Sequence, residues 1–229
     1  MGLKVDAYLE ALMDPKVHEV RSSTCRACAS SLEECGKVIW AFGLSTDARR
    51  GLALVVQMGG ALAQGTVLAL DAGNHYSAAA LLRQFVEIEY LLYLFGNDST
   101  EAEKWLSASP DDLRKMFAPA KMRARSQGRF QDDEYRSHCE LGGHPHPKSG
   151  HLLPEHDMLD RSPSRFHSPN VLWVDLGQHL TRAFGFLELP HMIAPAIPVV
   201  ASIIDTTQAN IRRWHDIDPC AARGRIFTS

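Results

Sequence analysis

Residues Ala79–Phe95 read AALLRQFVEIEYLLYLF. Leu81, Phe85, Ile88, Leu92 and Phe95 recur at helical spacing, with Leu82, Val86 and Tyr93 beside them, which predicts a helix over 75–95 that is apolar almost all round. Such a helix belongs at the centre of a bundle. Arg83, Glu87 and Tyr90 interrupt it as one polar row. An Arg standing N-terminal to its Glu is the weaker order for an exposed i,i+4 pair. The row is therefore expected to be buried, paired and hydrogen-bonded, since buried charges are otherwise too costly to keep.

The same helical periodicity extends outward from this segment. Leu52, Val55, Gly59, Leu62, Thr66 and Leu70 predict a helix over 48–70, capped by Thr46 or Asp47, with glycines that suit close approach of a neighbour. Its stretch 52–70 carries no charge, but its Gln, Gly and Thr residues favour a buried bundle helix over a membrane span. Upstream, Cys25, Cys28, Leu32, Cys35 and Ile39 fall on one stripe of a helix over 16–42, so these cysteines read as apolar surface with free thiols. Further helices are expected over 4–13, around Trp105, up to Phe117, over 132–141, over 171–189 and over 196–215. No strand alternation or repeat is visible. The fold expected is all-α: a single helical bundle over 1–229 with its core at about 16–215 and a long His/Pro-rich loop at 142–170.

A composition of 45% hydrophobic and 22% charged residues is ordinary for a globular domain, and a net charge of −3 argues against nucleic-acid binding through a bulk basic field. Lys121, Arg123, Arg125 and Arg129 make the one concentrated basic run, read as a solvated face or, alternatively, a phosphate-binding patch. The first sixteen residues mix acids with apolar positions and lack an apolar signal core, which makes a cytoplasmic protein with no membrane partner the expectation.

The chemistry concentrates in Tyr135–Gly150, YRSHCELGGHPHPKSG. Its Gly142-Gly143 turn and its prolines stop a helix and can hold nearby side chains in place. An acid–base site needs a His with a carboxylate to orient it and a cation to hold an anionic group. Arg83, Glu87, Tyr135 and His144 supply these types as candidate catalytic residues, with Arg136, His138, Glu140 and His146 as candidate substrate-binding residues. No metal or other cofactor is assigned. An alternative is a metal-dependent enzyme using His144 and His146, although their spacing matches neither His-Glu-x-x-His nor Glu-x-x-His. The other alternative is a non-catalytic helical interaction module.

Arg83-x-x-x-Glu87, the Trp105 stretch and Tyr135-x-x-x-Cys139 leading to His144-Pro145 resemble a bacterial family of helical proteins of uncharacterised function, over about residues 70–150. That family is in turn distantly similar to HEPN helical domains, many of them metal-independent ribonucleases that use an Arg and a His across a dimer. The resemblance implies a phosphate- or sulfate-bearing substrate or RNA, and a homodimer or a partner protein. The HEPN Arg-x(4–6)-His spacing is not met, because seven residues separate Arg136 from His144.

Overall fold

A computed structural model describes residues 10–42, 46–153, 169–187 and 198–221. The central helix runs His75–Asn97. Asn74 starts it by accepting the Ser77 N–H on its side chain at 3.2 Å, which satisfies one of the orphan donors of the first turn. In chain order the helices are α1 (Pro15–Phe42), α2 (Asp47–Asp71), α3 (His75–Asn97), α4 (Thr100–Ser107), α5 (Pro110–Met116), α6 (Pro119–Ala124), α7 (Asp132–His138), α8 (Pro169–Leu187) and α9 (Pro198–Ile217). A π-helical turn, Cys139–Gly143, and a 3-10 turn, Pro147–Leu152, lie between α7 and α8. No strand occurs among the described residues, so the fold is an all-α bundle.

Four long helices close the core in a ring: α1 packs on α2, α2 on α3, α3 on α8, and α8 back on α1. Helix α9 lies against α1 and α8, whereas α4 covers α2, and α6, α7 and the π turn cover α3. The α1–α2 crossing is tight because a Cβ on Gly60 would meet the backbone of Glu33. On α1, Cys25, Cys28 and Cys35 are buried free thiols. Burial pushes Cys28 and Cys35 up to about 12, so they act as small apolar residues.

Helix α2 is long and apolar enough to cross a membrane by length and composition. In this fold its Leu52, Val55, Val56, Gly59, Ala63 and Leu70 are buried between α1 and α3.

Within the loop expected at 142–170, the described residues hold the end of the π turn, the 3-10 turn and the first residues of α8, while 154–168 lies outside the described residues. In the basic run Lys121, Arg125 and Arg129 are exposed, as expected of a solvated face. Arg123 pairs with Asp132 at 2.8 Å, and Arg125 pairs with Glu101. Of the helix expected over 4–13, only 10–13 falls within the described residues, and it is helical.

Candidate functional site

The polar row on α3 meets α7. Arg83 Nη2 donates to Glu87 Oε1 at 2.7 Å and to Tyr135 Oη at 2.9 Å, and the Tyr135 hydroxyl donates to the same Glu87 oxygen at 2.8 Å. Three groups from two helices thus share one node. Arg123 from α6 lies over the same phenol, its guanidinium 4.3 Å from the Tyr135 ring centre. Burial and the hydrogen bond to Glu87 both push the Tyr135 phenol well above its ordinary value, so it stays protonated and can only be a proton donor near neutral pH. Tyr90, expected in this row, is instead buried against Phe130 with ring centres 4.3 Å apart. The phenol of the row comes from Tyr135.

The π turn docks where α3 offers only backbone: a Cβ on Gly142 would collide with the Ala79 carbonyl group. This contact fixes the exit of α7. His144 follows in extended backbone (φ −142°, ψ 155°) and is exposed, with no hydrogen bond to Arg83, Glu87 or Tyr135. The expectation that the glycine pair folds His144 back onto the row is therefore corrected, because a π turn continues the helical path before the chain leaves it. Arg136 is exposed and pairs with Asp133 at 3.3 Å, Glu140 is half-buried, and His146 is exposed.

The expected burial of the row is also corrected. The Arg83 and Glu87 side chains keep 26% and 30% of their exposure. Glu87→Ala is accordingly expected to lower stability by about 1 kcal/mol in urea unfolding, rather than the ~3–5 kcal/mol of a fully buried pair. A loss above about 3 kcal/mol would show that solvent does not screen the node.

His138 has a different environment from the other candidate residues. It points inward from α7 with Glu134, towards Asp175, His179 and Arg182 on α8 and Glu89 on α3. His179 Nδ1 lies 2.6 Å from Glu89 Oε2. A carboxylate only accepts, which puts a proton on Nδ1, so Arg182 Nη2, 2.7 Å from the same nitrogen, meets the ring there without a hydrogen bond. His179 Nε2 faces His138 Nε2 at 3.1 Å. Asp175 sits against both rings, 3.5 Å from His179 Nε2 and 3.7 Å from His138 Nδ1. Arg182 Nη2 donates to Glu134 Oε1 at 2.6 Å. Its Nε stands 2.8 Å from Glu89 Oε1 as an ion pair, but out of hydrogen-bond alignment, so that buried carboxylate oxygen has no hydrogen-bond partner. The cluster gathers the donor types of a metal site, since one ligand atom each of Glu134, His138 and His179 falls within 4.8 Å of the others. His144 and His146 do not take part in it.

Burial pushes His138 below its ordinary value, with Asp175 opposing. For His179, burial and Arg182 both disfavour charge, but Glu89 and Asp175 outweigh them and raise it to about 9. A histidine raised on folding stabilises fully below its unfolded value of about 6.5 and loses that contribution as pH climbs through the folded value. With divalent cations chelated, the melting-temperature gap between the parent and Glu89→Gln should therefore narrow from pH 6.5 to pH 9. A gap that widens with pH would contradict the assignment.

Sequence periodicity alone passed over most of this cluster, yet it left a signal. Ala78, Leu82, Phe85, Glu89 and Leu92 form one fully buried stripe of α3, so Glu89 is a carboxylate on a core face. Asp175-x-x-x-His179-x-x-Arg182 repeats the pattern on α8, and Glu134-x-x-x-His138 places two donors one turn apart on α7. Charged residues at core positions of apolar helices must pair with one another.

Fold and site together define an all-helical bundle with a half-exposed Arg–Glu–Tyr node beside a buried histidine–carboxylate cluster. Comparison of the chain with protein-family models, curated proteins and solved structures returned no match.

Proposed function

We propose that the protein is an acid–base enzyme acting on a phosphate- or sulfate-bearing substrate, RNA included, at the Arg83–Glu87–Tyr135 node. The observation that carries the reading is the shared hydrogen bonding of a cation, a carboxylate and a protonated phenol at a half-exposed position. Arg83 would hold the anionic group, Glu87 would take a proton from the attacking hydroxyl or water, and Tyr135 would give one to the leaving oxygen. The chemistry needs no metal at the node. A distant relationship to HEPN domains belongs to the same proposal, without His144 in the role of base.

A non-catalytic interaction module is the second reading. It is favoured by the internal pairing of the node, since Glu87 and Tyr135 already occupy Arg83 Nη2. Purified protein tested on an RNA oligonucleotide, an aryl phosphate and an aryl sulfate separates the two. Turnover of at least one, lowered about 10²–10⁴-fold in Glu87→Gln with an unchanged circular dichroism spectrum, supports the enzyme. No turnover of any of the three supports the module, and a fully active Glu87→Gln overturns the role given to the node.

A further inference from the structure

We propose that Glu134, His138 and His179 form a binding site for one divalent transition-metal ion of the zinc class, which clamps α7 onto α8. This site is separate from the Arg83–Glu87–Tyr135 node and does not depend on the function proposed for it.

The geometry points there first. With Nδ1 of His179 committed to Glu89, and Nδ1 of His138 facing Asp175, the two Nε2 atoms are left facing each other at 3.1 Å. Two imidazole nitrogens about 2.0–2.1 Å from one ion stand about 3.0 Å apart at a right angle and about 3.4 Å apart at a tetrahedral angle. The observed separation falls between these values. A histidine whose far nitrogen faces a carboxylate is also the usual form of a metal-binding histidine, because the carboxylate fixes the ring and raises its basicity. Both rings have one.

The charge balance points the same way. Glu89, Glu134 and Asp175 bring three carboxylates to the cluster and Arg182 brings one guanidinium, all against two buried imidazoles. With both rings neutral, as coordination through Nε2 requires, two negative charges lack a counter-charge. Protonating both rings would supply them only by setting two cations Nε2 to Nε2 at 3.1 Å. A single divalent ion supplies them without that repulsion. Arg182 holds Glu134 through Oε1, and one oxygen of that carboxylate lies within 4.8 Å of a nitrogen of each ring. Imidazole nitrogens with a carboxylate select a borderline first-row ion over calcium or magnesium, and the depth of the rings suits a clamp better than an open catalytic ion.

The full chain, stripped with a chelator and dialysed, is titrated with Zn(II) and separately with Co(II), followed by elemental analysis, visible absorption and amide exchange. One ion per chain, Co(II) d–d bands of a nitrogen–oxygen site, and slowed exchange over residues 132–143 are expected. His138→Gln should weaken Zn(II) by more than the about 10–100-fold that removing a supporting group causes. Glu134→Gln, at a half-exposed position, offers a second variant if His138→Gln does not fold, and it should also weaken the ion. The double variant His144→Ala with His146→Ala should bind as the parent does. Absence of stoichiometric metal, binding unchanged in both His138→Gln and Glu134→Gln, or binding lost in the His144/His146 variant overturns the proposal. None of these readouts uses turnover, so an inactive node would not be mistaken for a missing metal site.

Discussion

Asp218→Ala is expected to lower the unfolding free energy by about 3–5 kcal/mol, a large share of the ~5–15 kcal/mol that holds a typical domain together. Asp218 follows α9 and meets Arg21 of α1 in a two-pronged pair, Nε to Oδ2 at 2.6 Å and Nη2 to Oδ1 at 3.1 Å, with both side chains fully buried. The remaining capacity of the carboxylate is filled by Trp214 Nε1 at 2.9 Å and the Cys220 backbone N–H at 2.9 Å. Truncation strands the Arg21 guanidinium without water, and its long contacts to the Leu12 and Ala11 carbonyls at 3.4 Å cannot replace a counter-charge. Urea unfolding of the variant beside the parent measures the loss. A change under about 1 kcal/mol would mean that water reaches Arg21. Exposed pairs such as Arg50 with Asp47 should each change stability by less than about 1 kcal/mol.

The second large effect belongs to Glu89, buried on α3 and facing both His179 and Arg182. Glu89→Ala removes the carboxylate that α3 offers to α8 and leaves His179 Nδ1 and Arg182 Nε without it, with only Asp175 and Glu134 as remaining counter-charges. A loss of about 3–5 kcal/mol is again expected, with Glu89→Gln milder because the amide keeps an oxygen acceptor for Nδ1. The change should also loosen α7, since Arg182 is anchored between Glu89 and Glu134. Amide exchange over 132–143 should quicken in Glu89→Ala at denaturant concentrations where the rest of the bundle stays protected. If α7 keeps its protection, the cluster does not hold that helix.

The fold was legible because the long helices carry their own instructions. The apolar periodicity of α3 and the Thr46 cap of α2 each mark an element within a residue or two. The Cys stripe of α1 read as core for the same reason. The site was legible only in part. Arg83 and Glu87 share a helix face by spacing, but their exposure depends on what covers that face, and periodicity does not report it. His144 was misplaced because Gly142-Gly143 looks like a reversal, whereas tight packing on Ala79 makes it the last part of a π turn. Glu89 and His179 are ninety residues apart in sequence, so neither helix alone reveals the pair. Each looks like a blemish in an apolar pattern until the partner is in view.

Tyr135→Phe is the most direct test of the proposed node. The substitution removes one oxygen, leaves the ring stacked under Arg123, and keeps the Arg83–Glu87 contact, so the fold should survive with little change in melting temperature. On a substrate that the parent turns over, kcat should fall about 10²–10⁴-fold with little change in KM, as expected for loss of a proton donor used in the transition state. Unchanged kcat in a folded Tyr135→Phe protein would contradict the account and leave the node a structural pin between α3 and α7.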